Sequence, residues 1–302
     1  MFAAPEVRVG PPLSHGRLTV FPLFAPQPQP VPYRLADDAL ADGTATVEEV
    51  TEGGSVPQLA VENRGDALVL FLEGQELRGA KQNRVLNTSV LIPARHKTVL
   101  PVSCVEQGRW RYTSRHFAPS GGHSSSKLRG VLKSSVTRSA YSGQGHGSDQ
   151  GAVWAEVTRQ MTALGSSSPT GAMSDTYEAH RNTLREHLAR LGYPEGAVGL
   201  AVAVGDKLVM VDVFDAPQTC SKVWPRLLTG VVLDAAESPD PVTPPASGVV
   251  DAAIAELQAG PWRPVTAAGA GEEYRGEPAG RWHGSVLAHG GVVVHGSLVL
   301  AS

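Results

Sequence analysis

The sequence predicts an α+β protein with an antiparallel β-rich core and a central helical insertion, two helices around residues 149–192. Three observations support this fold class. The 302 residues include 33 glycines and 23 prolines, which favour turns and short strands over long helices. Apolar runs of strand length lie before residue 115 and after residue 194, whereas helical periodicity dominates the middle. This order of strands, helices and strands is typical of an α+β fold.

The first third of the chain predicts strands. Apolar and alternating segments lie at residues 18–24, 44–50, 58–63, 67–72, 87–93 and 97–105. The turn residues Arg64, Gly65 and Asp66 predict a hairpin between the third and fourth of these strands. The basic turn at residues 94–96 predicts that the fifth and sixth strands pair in the same way.

Residues 113–149 have a different composition, in which serine, glycine and histidine dominate. We expect a long, mobile loop here, with a short strand or helix near residues 128–133. Loops of this length in a compact domain are usually either functional or disordered. A segment that covers a neighbouring site is the functional alternative.

Helical periodicity follows, and strands return after it. Asp149 or Ser148 is a suitable N-cap for a helix over residues 150–164, and Thr170 or Ser174 opens a second helix that ends at Gly192. The remaining expected elements are a hairpin at 198–214, a helix at 216–234, a linker at 238–248, a helix at 249–258, and strands at 262–267, 273–276, 281–288 and 292–300.

The length fits a single domain over residues 1–302, with sub-lobes at 1–115 and 194–302 around the helices, because no clean linker separates the halves. The two cysteines lie far apart, which suits a reducing compartment. No apolar run reaches the roughly 18–20 residues of a membrane span, and the N-terminus lacks a signal-peptide pattern. We therefore expect a cytoplasmic protein; the oligomeric state stays open.

Charge is distributed unevenly along the chain. Residues 77–148 contain 12 of the 26 lysines and arginines but a single acid, Glu106. This segment carries a charge near +11 within a remainder near -14, although the whole chain has a net charge of only -3. Clustered cations favour an anionic partner, either a small metabolite or a nucleic acid.

The start of the basic segment is rich in side chains that bind anions and sugars. Arg78, Lys81 and Arg84 recur at a spacing of three, so they share a helical face or line a glycine-containing loop. Arginine binds phosphate and carboxylate through its planar fork. Neutral donors and acceptors for a ribose or an amide come from Gln75, Gln82, Asn83 and Asn87. A solvated polar hairpin is the alternative.

A second group follows at Cys104, Glu106, Arg109 and Trp110. Glu106 is a general acid–base candidate, with a structural pair to Arg109 as the competing account. Cys104 is a candidate nucleophile if nearby cations favour its thiolate, but an isolated cysteine in a strand is commonly a small core residue. Trp110 either stacks a base among cations or anchors the core. The histidine and cysteine spacings do not predict a metal site.

Three sequence segments carry a family resemblance: residues 73–89, 101–110 and 148–154, with Asp212-Val-Phe214 later. The chain resembles an uncharacterised bacterial family, the ADP-ribosylglycohydrolase- and rhodanese-phosphatase-associated protein domain, from about residue 15 to the C-terminus. The family name records genomic association, so the resemblance implies a setting of ADP-ribose or NAD-derived metabolites but no catalytic residue. The matching positions include Glu73, Gln150 and Trp154.

These observations predict binding or processing of a phosphorylated, nucleotide-like metabolite in a basic cleft. The alternatives are a non-catalytic sensor or scaffold and a nucleic-acid-binding protein that uses residues 77–148. Whether the protein is an enzyme and which cofactor it uses remain open. We assign catalytic candidates Glu106 and Cys104, and ligand-binding candidates Glu73, Gln75, Arg78, Lys81, Gln82, Arg84, Asn87, Arg109, Trp110 and Gln150.

Overall fold

A computed structural model describes residues 2, 6–26, 30–237 and 243–301. These residues form helices and largely antiparallel sheets, which confirms the predicted α+β class with a β-rich core. The expected linker at 238–248 falls partly outside the described residues, since 238–242 are not among them.

The largest sheet has nine strands and draws them from both ends of the chain. Its hydrogen-bonded order is β1-β3-β13-β14-β18-β17-β16-β15, with β2 beside β3. The strands are β1 (Arg8–Val9), β2 (Leu13–His15), β3 (Leu18–Phe24), β13 (Gly199–Val204), β14 (Lys207–Phe214), β15 (Arg263–Val265), β16 (Glu272–Gly276), β17 (Trp282–His289) and β18 (Val292–Leu300).

Two smaller sheets come from the first 123 residues. A six-stranded antiparallel sheet has the order β12-β8-β9-β11-β6-β5, and a three-stranded sheet has the order β10-β7-β4 with β4 parallel to β7. Their strands are β4 (Tyr33–Leu35), β5 (Ala45–Glu49), β6 (Gln58–Asn63), β7 (Leu68–Phe71), β8 (Gln75–Gly79), β9 (Arg84–Leu86), β10 (Val90–Ile92), β11 (His96–Cys104) and β12 (Phe117–His123).

Helices cover both faces of the nine-stranded sheet, and each face has its own apolar core. The helix α7 packs on one face, whereas α2, α3, α5 and α6 contribute to the core on the other. The helices are α1 (Ala36–Ala41), α2 (Ser126–Tyr141), α3 (Gln150–Ala163), α4 (Met173–Ala179), α5 (Arg181–Arg190), α6 (Pro217–Ala236) and α7 (Ser247–Ala259), with a 3-10 turn at Pro278–Gly280.

Both hairpins predicted in the first third are wrong, although the strands themselves exist. β6 pairs with β5 and β11, while β7 pairs with β4 and β10. β10 and β11 also belong to different sheets. Apolar alternation identifies a strand but not its partner. The hairpin predicted at 198–214, by contrast, is confirmed as β13–β14.

The mobile loop predicted over residues 113–149 is also wrong. β12 and the 16-residue helix α2 occupy most of this segment. Ser125 caps α2 by accepting a hydrogen bond from the backbone N–H of Leu128 at 3.2 Å. The expected helix up to Gly192 is divided at His180 into α4 and α5.

Candidate functional site

The connection between β8 and β9 places several predicted site residues together. Gly79 and Ala80 have φ angles of 132° and 39°, so the chain turns sharply before Lys81. A Cβ on Gly79 would lie 2.6 Å from the Ser114 hydroxyl, which makes glycine necessary there. We use the name turn cluster for the group that this turn gathers: Lys81, Gln82, Asn83, Arg84, Cys104, Glu106, Arg109 and Trp110.

Glu106 is held by a bidentate pair with Arg109. The Arg109 Nε and Nη2 atoms donate to the two Glu106 carboxylate oxygens at 2.8 and 2.6 Å. The backbone N–H of Asn83 and the hydroxyl of Thr170 donate to the same carboxylate at 3.1 and 2.9 Å. The structural pair proposed as the alternative from sequence is therefore present.

The electrostatics of Glu106 favour the ionised form. Burial raises the pKa of the carboxyl group, but hydrogen bonds from Arg109, Asn83 and Thr170 outweigh it and leave the pKa below its usual range. Arg109 is equally engaged, because its Nη1 atom also donates to the carbonyl oxygen of Ala80 at 2.7 Å. Both residues fix the turn, and a ligand would have to displace these bonds to reach them.

Arg84 differs, because half of its guanidinium makes no hydrogen bond to the described residues. The side chain is 0% exposed, and its Nη1 atom donates to the Gln82 side-chain oxygen at 2.8 Å. The Nε and Nη2 atoms have no hydrogen-bond partner among the described residues, and the Glu49 carboxylate is 3.9 Å from Nη2. Burial lowers the pKa of Arg84. Nε and Nη2 form the edge that binds carboxylate or phosphate in a bidentate manner.

Lys81 lies close to two exposed aromatic rings. Its ammonium nitrogen is 5.3 Å from the ring centroid of Trp110 and 5.1 Å from that of Tyr112. It also donates to the backbone oxygen of Gly53 at 2.7 Å. Trp110 is 47% exposed and is therefore not the core anchor that the sequence left as an alternative. Its ring also lies 5.7 Å from the Arg84 guanidinium.

Cys104 lies inside the turn cluster, opposite Arg84 in the β11–β9 ladder. Burial raises the pKa of its thiol, although Arg84 and the indole N–H of Trp154 act in the opposite direction. The side-chain amide of Gln150 makes two hydrogen bonds to the backbone of Cys104. It accepts from the Cys104 N–H and donates to the Cys104 carbonyl oxygen, both at 2.8 Å. Gln150 thus attaches the start of α3 to β11.

A cavity of about 940 Å³ adjoins the turn cluster. Glu49 and Tyr112, which contact Lys81, also line this cavity. We call it the turn cavity. Its remaining lining residues are Glu48, Thr51, Glu52, Thr113, Ser114 and Arg115. The volume is at the upper end of the range that small-molecule sites occupy.

Besides Gln150, four predicted residues lie outside the turn cluster. The Arg78 side chain is about half exposed and its nearest carboxylate, Glu76, is 4.0 Å away. The Gln75 amide lies 3.4 Å from Asp37, and that of Asn87 donates to the His146 carbonyl at 2.9 Å. Glu73 belongs to a different group of charges beneath α2.

No sequence pattern predicted that group, which we call the buried ion network: Glu73, Arg129, Lys133 and Asp212. Arg129 donates to both Asp212 oxygens at 2.8 and 2.7 Å and to Glu73 at 2.8 Å. The ammonium of Lys133 is 2.7 Å from the Glu73 carboxylate. All four side chains are buried. Burial lowers the pKa of Lys133 to about 8, an effect that Glu73 partly offsets.

A chain of hydrogen bonds from Asp212 through His295 to Ser89 has the residue types of a hydrolase triad. The distances are 3.0 Å from Asp212 to His295 Nε2 and 2.8 Å from His295 Nδ1 to Ser89. However, the Ser89 hydroxyl also accepts the N–H of Glu73 at 3.1 Å, and all three triad side chains are buried. We therefore assign these three residues a structural role rather than a catalytic one.

The cations of the basic segment are largely balanced by acids: six of the 12 form ion pairs of 3.3 Å or less, and two more, Arg78 and Arg84, lie 4.0 and 3.9 Å from a carboxylate. Most of those acids lie outside the segment, as in Arg95–Asp66, Lys97–Glu62 and Lys127–Glu237. Charge separation along the sequence is therefore largely cancelled in space. Within the described ranges, no group of three or more histidine, cysteine or acidic residues is arranged to hold a metal ion.

The fold and the site define an α+β protein with a polar cluster buried beneath a hairpin turn. The ARG and Rhodanese-Phosphatase-superfamily-associated Protein domain matches residues 6–299, so the chain belongs to this family. Comparison with curated proteins and with solved structures yields no match. None of the helices described is long and apolar enough to cross a membrane.

Proposed function

We propose that the protein binds a phosphorylated, nucleotide-like metabolite, an ADP-ribose or NAD derivative, in the turn cavity. The observation that carries the proposal is the buried Arg84, whose Nε and Nη2 atoms have no hydrogen-bond partner among the described residues. An unpaired buried donor is costly, and a phosphate oxygen pair satisfies this edge. Both nitrogens are buried, so the ligand reaches them when Trp110 and the loop at 51–54 move outward.

The surroundings of Arg84 match the other parts of such a ligand. Lys81 supplies a second cation for a diphosphate, and the exposed rings of Trp110 and Tyr112 offer faces on which a base stacks. Glu49 and Glu52 line the turn cavity and supply acceptors for ribose hydroxyls. The family is named for association with ARG, the ADP-ribosylglycohydrolase, which fits a metabolite of this type.

The geometry favours binding over turnover in the state described. Glu106 remains the acid–base candidate, but its carboxylate is fully engaged by Arg109, Asn83 and Thr170. The thiol of Cys104 is buried with a raised pKa, which disfavours a nucleophilic thiolate. A non-catalytic sensor is therefore the second form of the proposal. Both buried cysteines are free thiols, which fits the predicted cytoplasmic location.

A thermal-shift and calorimetric titration with ADP-ribose, NAD and AMP tests the proposal. A ligand at about 100 times its dissociation constant adds roughly 2.7 kcal/mol to the free energy of unfolding. Arg84→Lys keeps the charge but removes the fork, and we expect at least about tenfold weaker binding. Arg78→Lys, an exposed arginine on the same hairpin, is the matched control. Trp110→Ala weakens binding without touching the core.

Two results would remove the proposal: no shift with any of the three ligands, or equal weakening by Arg84→Lys and Arg78→Lys. Incubating the protein with ADP-ribose and analysing the products distinguishes an enzyme from a sensor, because only an enzyme converts the bound ligand. If Glu106 is the acid–base residue of an enzyme, the Glu106→Gln variant keeps ligand binding and loses turnover. Nucleic-acid binding through residues 77–148 has little support from the paired cations; such binding would weaken steeply as salt rises.

A further inference from the structure

A second cavity, of about 420 Å³, lies between α1, α5, α6 and the bulge of β12. We call it the α6 cavity; it shares no lining residue with the turn cavity. Its wall includes Gly121, whose φ is 76° and beside which a Cβ would meet no atom within 4 Å. The bulge between Pro119 and His123 thus leaves open space on this side.

Arg226 is the most deeply buried charge in the wall of the α6 cavity, at 8% exposure. Its Nη1 atom donates to Asp37 in a short ion pair. Its Nε and Nη2 atoms have no hydrogen-bond partner in the described part of the chain. This edge is the one that grips a carboxylate with two parallel hydrogen bonds. Both nitrogens are buried, so binding requires the guanidinium to turn towards the cavity.

The other charges of the wall make the lining neutral. Lys222 pairs with Asp38 at 2.6 Å, and both side chains of this pair are exposed. Exposed pairs of this kind contribute little and exchange readily. Two carboxylates and two cations therefore face one space, so a simple anion gains attraction from one pair and repulsion from the other. A ligand that carries one charge of each sign matches the lining without disturbing its balance.

The remaining lining is apolar except for Thr229. Leu35, Leu188 and Pro225 face the same cavity. Each methylene that a ligand buries there strengthens binding by roughly fourfold. The cavity volume suits a molecule of amino-acid size with a short apolar side chain.

We propose that the α6 cavity binds a small zwitterion of the α-amino-acid class. The ligand carboxylate lies on the free edge of Arg226, the ammonium group lies on Asp38, and the side chain lies against Leu35 and Leu188. Sequence reasoning missed this site because Arg226 lies outside the basic segment and Asp37 and Asp38 precede it by almost 190 positions. Gln75, predicted to bind ligand, contacts Asp37 and so supports the α6 cavity instead.

Calorimetry with leucine, N-acetyl-leucine, leucinamide and inorganic phosphate tests each charge separately. We expect leucine to bind, and the two blocked forms, which carry a single charge, to bind at least about tenfold more weakly. Alanine should bind more weakly than leucine, because it lacks methylenes for the apolar wall. Binding of phosphate or N-acetyl-leucine at the strength of leucine would overturn the zwitterion assignment, as would absence of leucine binding.

Variants of the full chain locate the site. Arg226→Gln should abolish leucine binding, and Leu188→Trp, which fills the α6 cavity while keeping every charge, should do the same. Arg159→Gln, another arginine paired on a helix surface, is the control and should bind normally. Arg84→Lys should also bind leucine normally, so failure of the nucleotide proposal and failure of this one are distinguishable. Unchanged leucine binding in Leu188→Trp would place the amino acid elsewhere and refute the assignment.

Discussion

At the scale of single residues, the polar side chains of the turn cluster divide by whether the protein itself satisfies them. Glu106 and Arg109 use their hydrogen-bonding capacity on each other and on the surrounding backbone. Arg84 is fully buried, yet its Nε and Nη2 atoms make no hydrogen bond within the part of the chain that the structure describes. A satisfied pair stabilises a fold, whereas an unsatisfied buried donor is a feature that a ligand explains. This contrast, rather than charge alone, selects Arg84.

Glu76 provides a residue-scale prediction about stability and pH. Burial, the main cause, raises its pKa to about 7 from the usual 4.5, with Glu106 and Asp175 adding to it and Ser120 and Arg78 opposing it. The folded state therefore holds the proton, and stability from this group is lost as pH rises from 4.5 through 7. Glu76→Gln should increase the free energy of unfolding on the order of 2 kcal/mol at pH 8.

Urea titrations at pH 8 and pH 5 check the Glu76 prediction. The gain should be small at pH 5, where the folded wild-type protein already has a protonated Glu76. Glu62→Gln is the control, because Glu62 is solvent-exposed in its pair with Arg64 and its pKa is lowered. An equal gain at both pH values would show that proton linkage is not the cause.

At the scale of elements, α2 is the helix that the sequence pattern did not predict at its full length. Serine and glycine on both sides of it favour a loop, and its buried face carries Arg129 and Lys133 in place of apolar residues. Residues four apart share a helical face, so both cations reach Glu73. Amphipathic patterning assumes that a buried face is apolar, and it fails where the buried face is ionic.

Arg129→Met tests how much the ionic face of α2 contributes to the free energy of unfolding. The substitution leaves Asp212 and Glu73 buried without their main cation, and we expect it to reduce the free energy of unfolding by about 3–5 kcal/mol. Lys127→Met is the matched control on the same helix, since Lys127 is 45% exposed and its partner Glu237 keeps a second cation, Arg159. We expect Lys127→Met to reduce the free energy of unfolding by less than about 1 kcal/mol. Urea denaturation measures both, and equal losses would contradict the assignment.

Among the other elements, pairing between strands adjacent in the chain was predictable, whereas pairing between distant strands was not. β13–β14 were predictable because Gly205 and Asp206 close a short hairpin whose partner is adjacent in the chain. β6 and β7 were predictable as strands but not as members of separate sheets. Partner choice is decided by which apolar faces meet in the core, and strand sequences do not contain that information.

At the scale of the whole molecule, the nine-stranded sheet joins the two ends of the chain. β3 pairs with β13, so the strands of residues 8–24 lie in one sheet with the strands between residues 199 and 300, whereas β4 to β12 form the two smaller sheets. The buried ion network adds a second tie, because Glu73, Arg129 and Asp212 come from three distant segments. The expected single domain over residues 1–302 stays a prediction that these contacts support.

Cooperative unfolding tests that prediction. Because both ends share one sheet, tryptophan fluorescence and far-UV circular dichroism should report one coincident transition in urea. Independent sub-lobes at 1–115 and 194–302 would instead give two separated transitions. Replacing Trp110 with phenylalanine should remove an exposed reporter and leave the midpoint unchanged within about 0.5 kcal/mol.

The sequence by itself determined the fold class, most strands and helices, the family and the short stretch that forms the turn cluster, because these depend on local pattern and composition. Only the tertiary structure decided which charges are free. It paired many cations of the basic segment with acids from elsewhere and buried Arg129 and Lys133 in a network. It also left the Nε and Nη2 atoms of Arg84 and Arg226 without a hydrogen bond to the described residues. Ion pairing depends on distances between segments far apart in the chain, and charge counted along a sequence does not contain those distances.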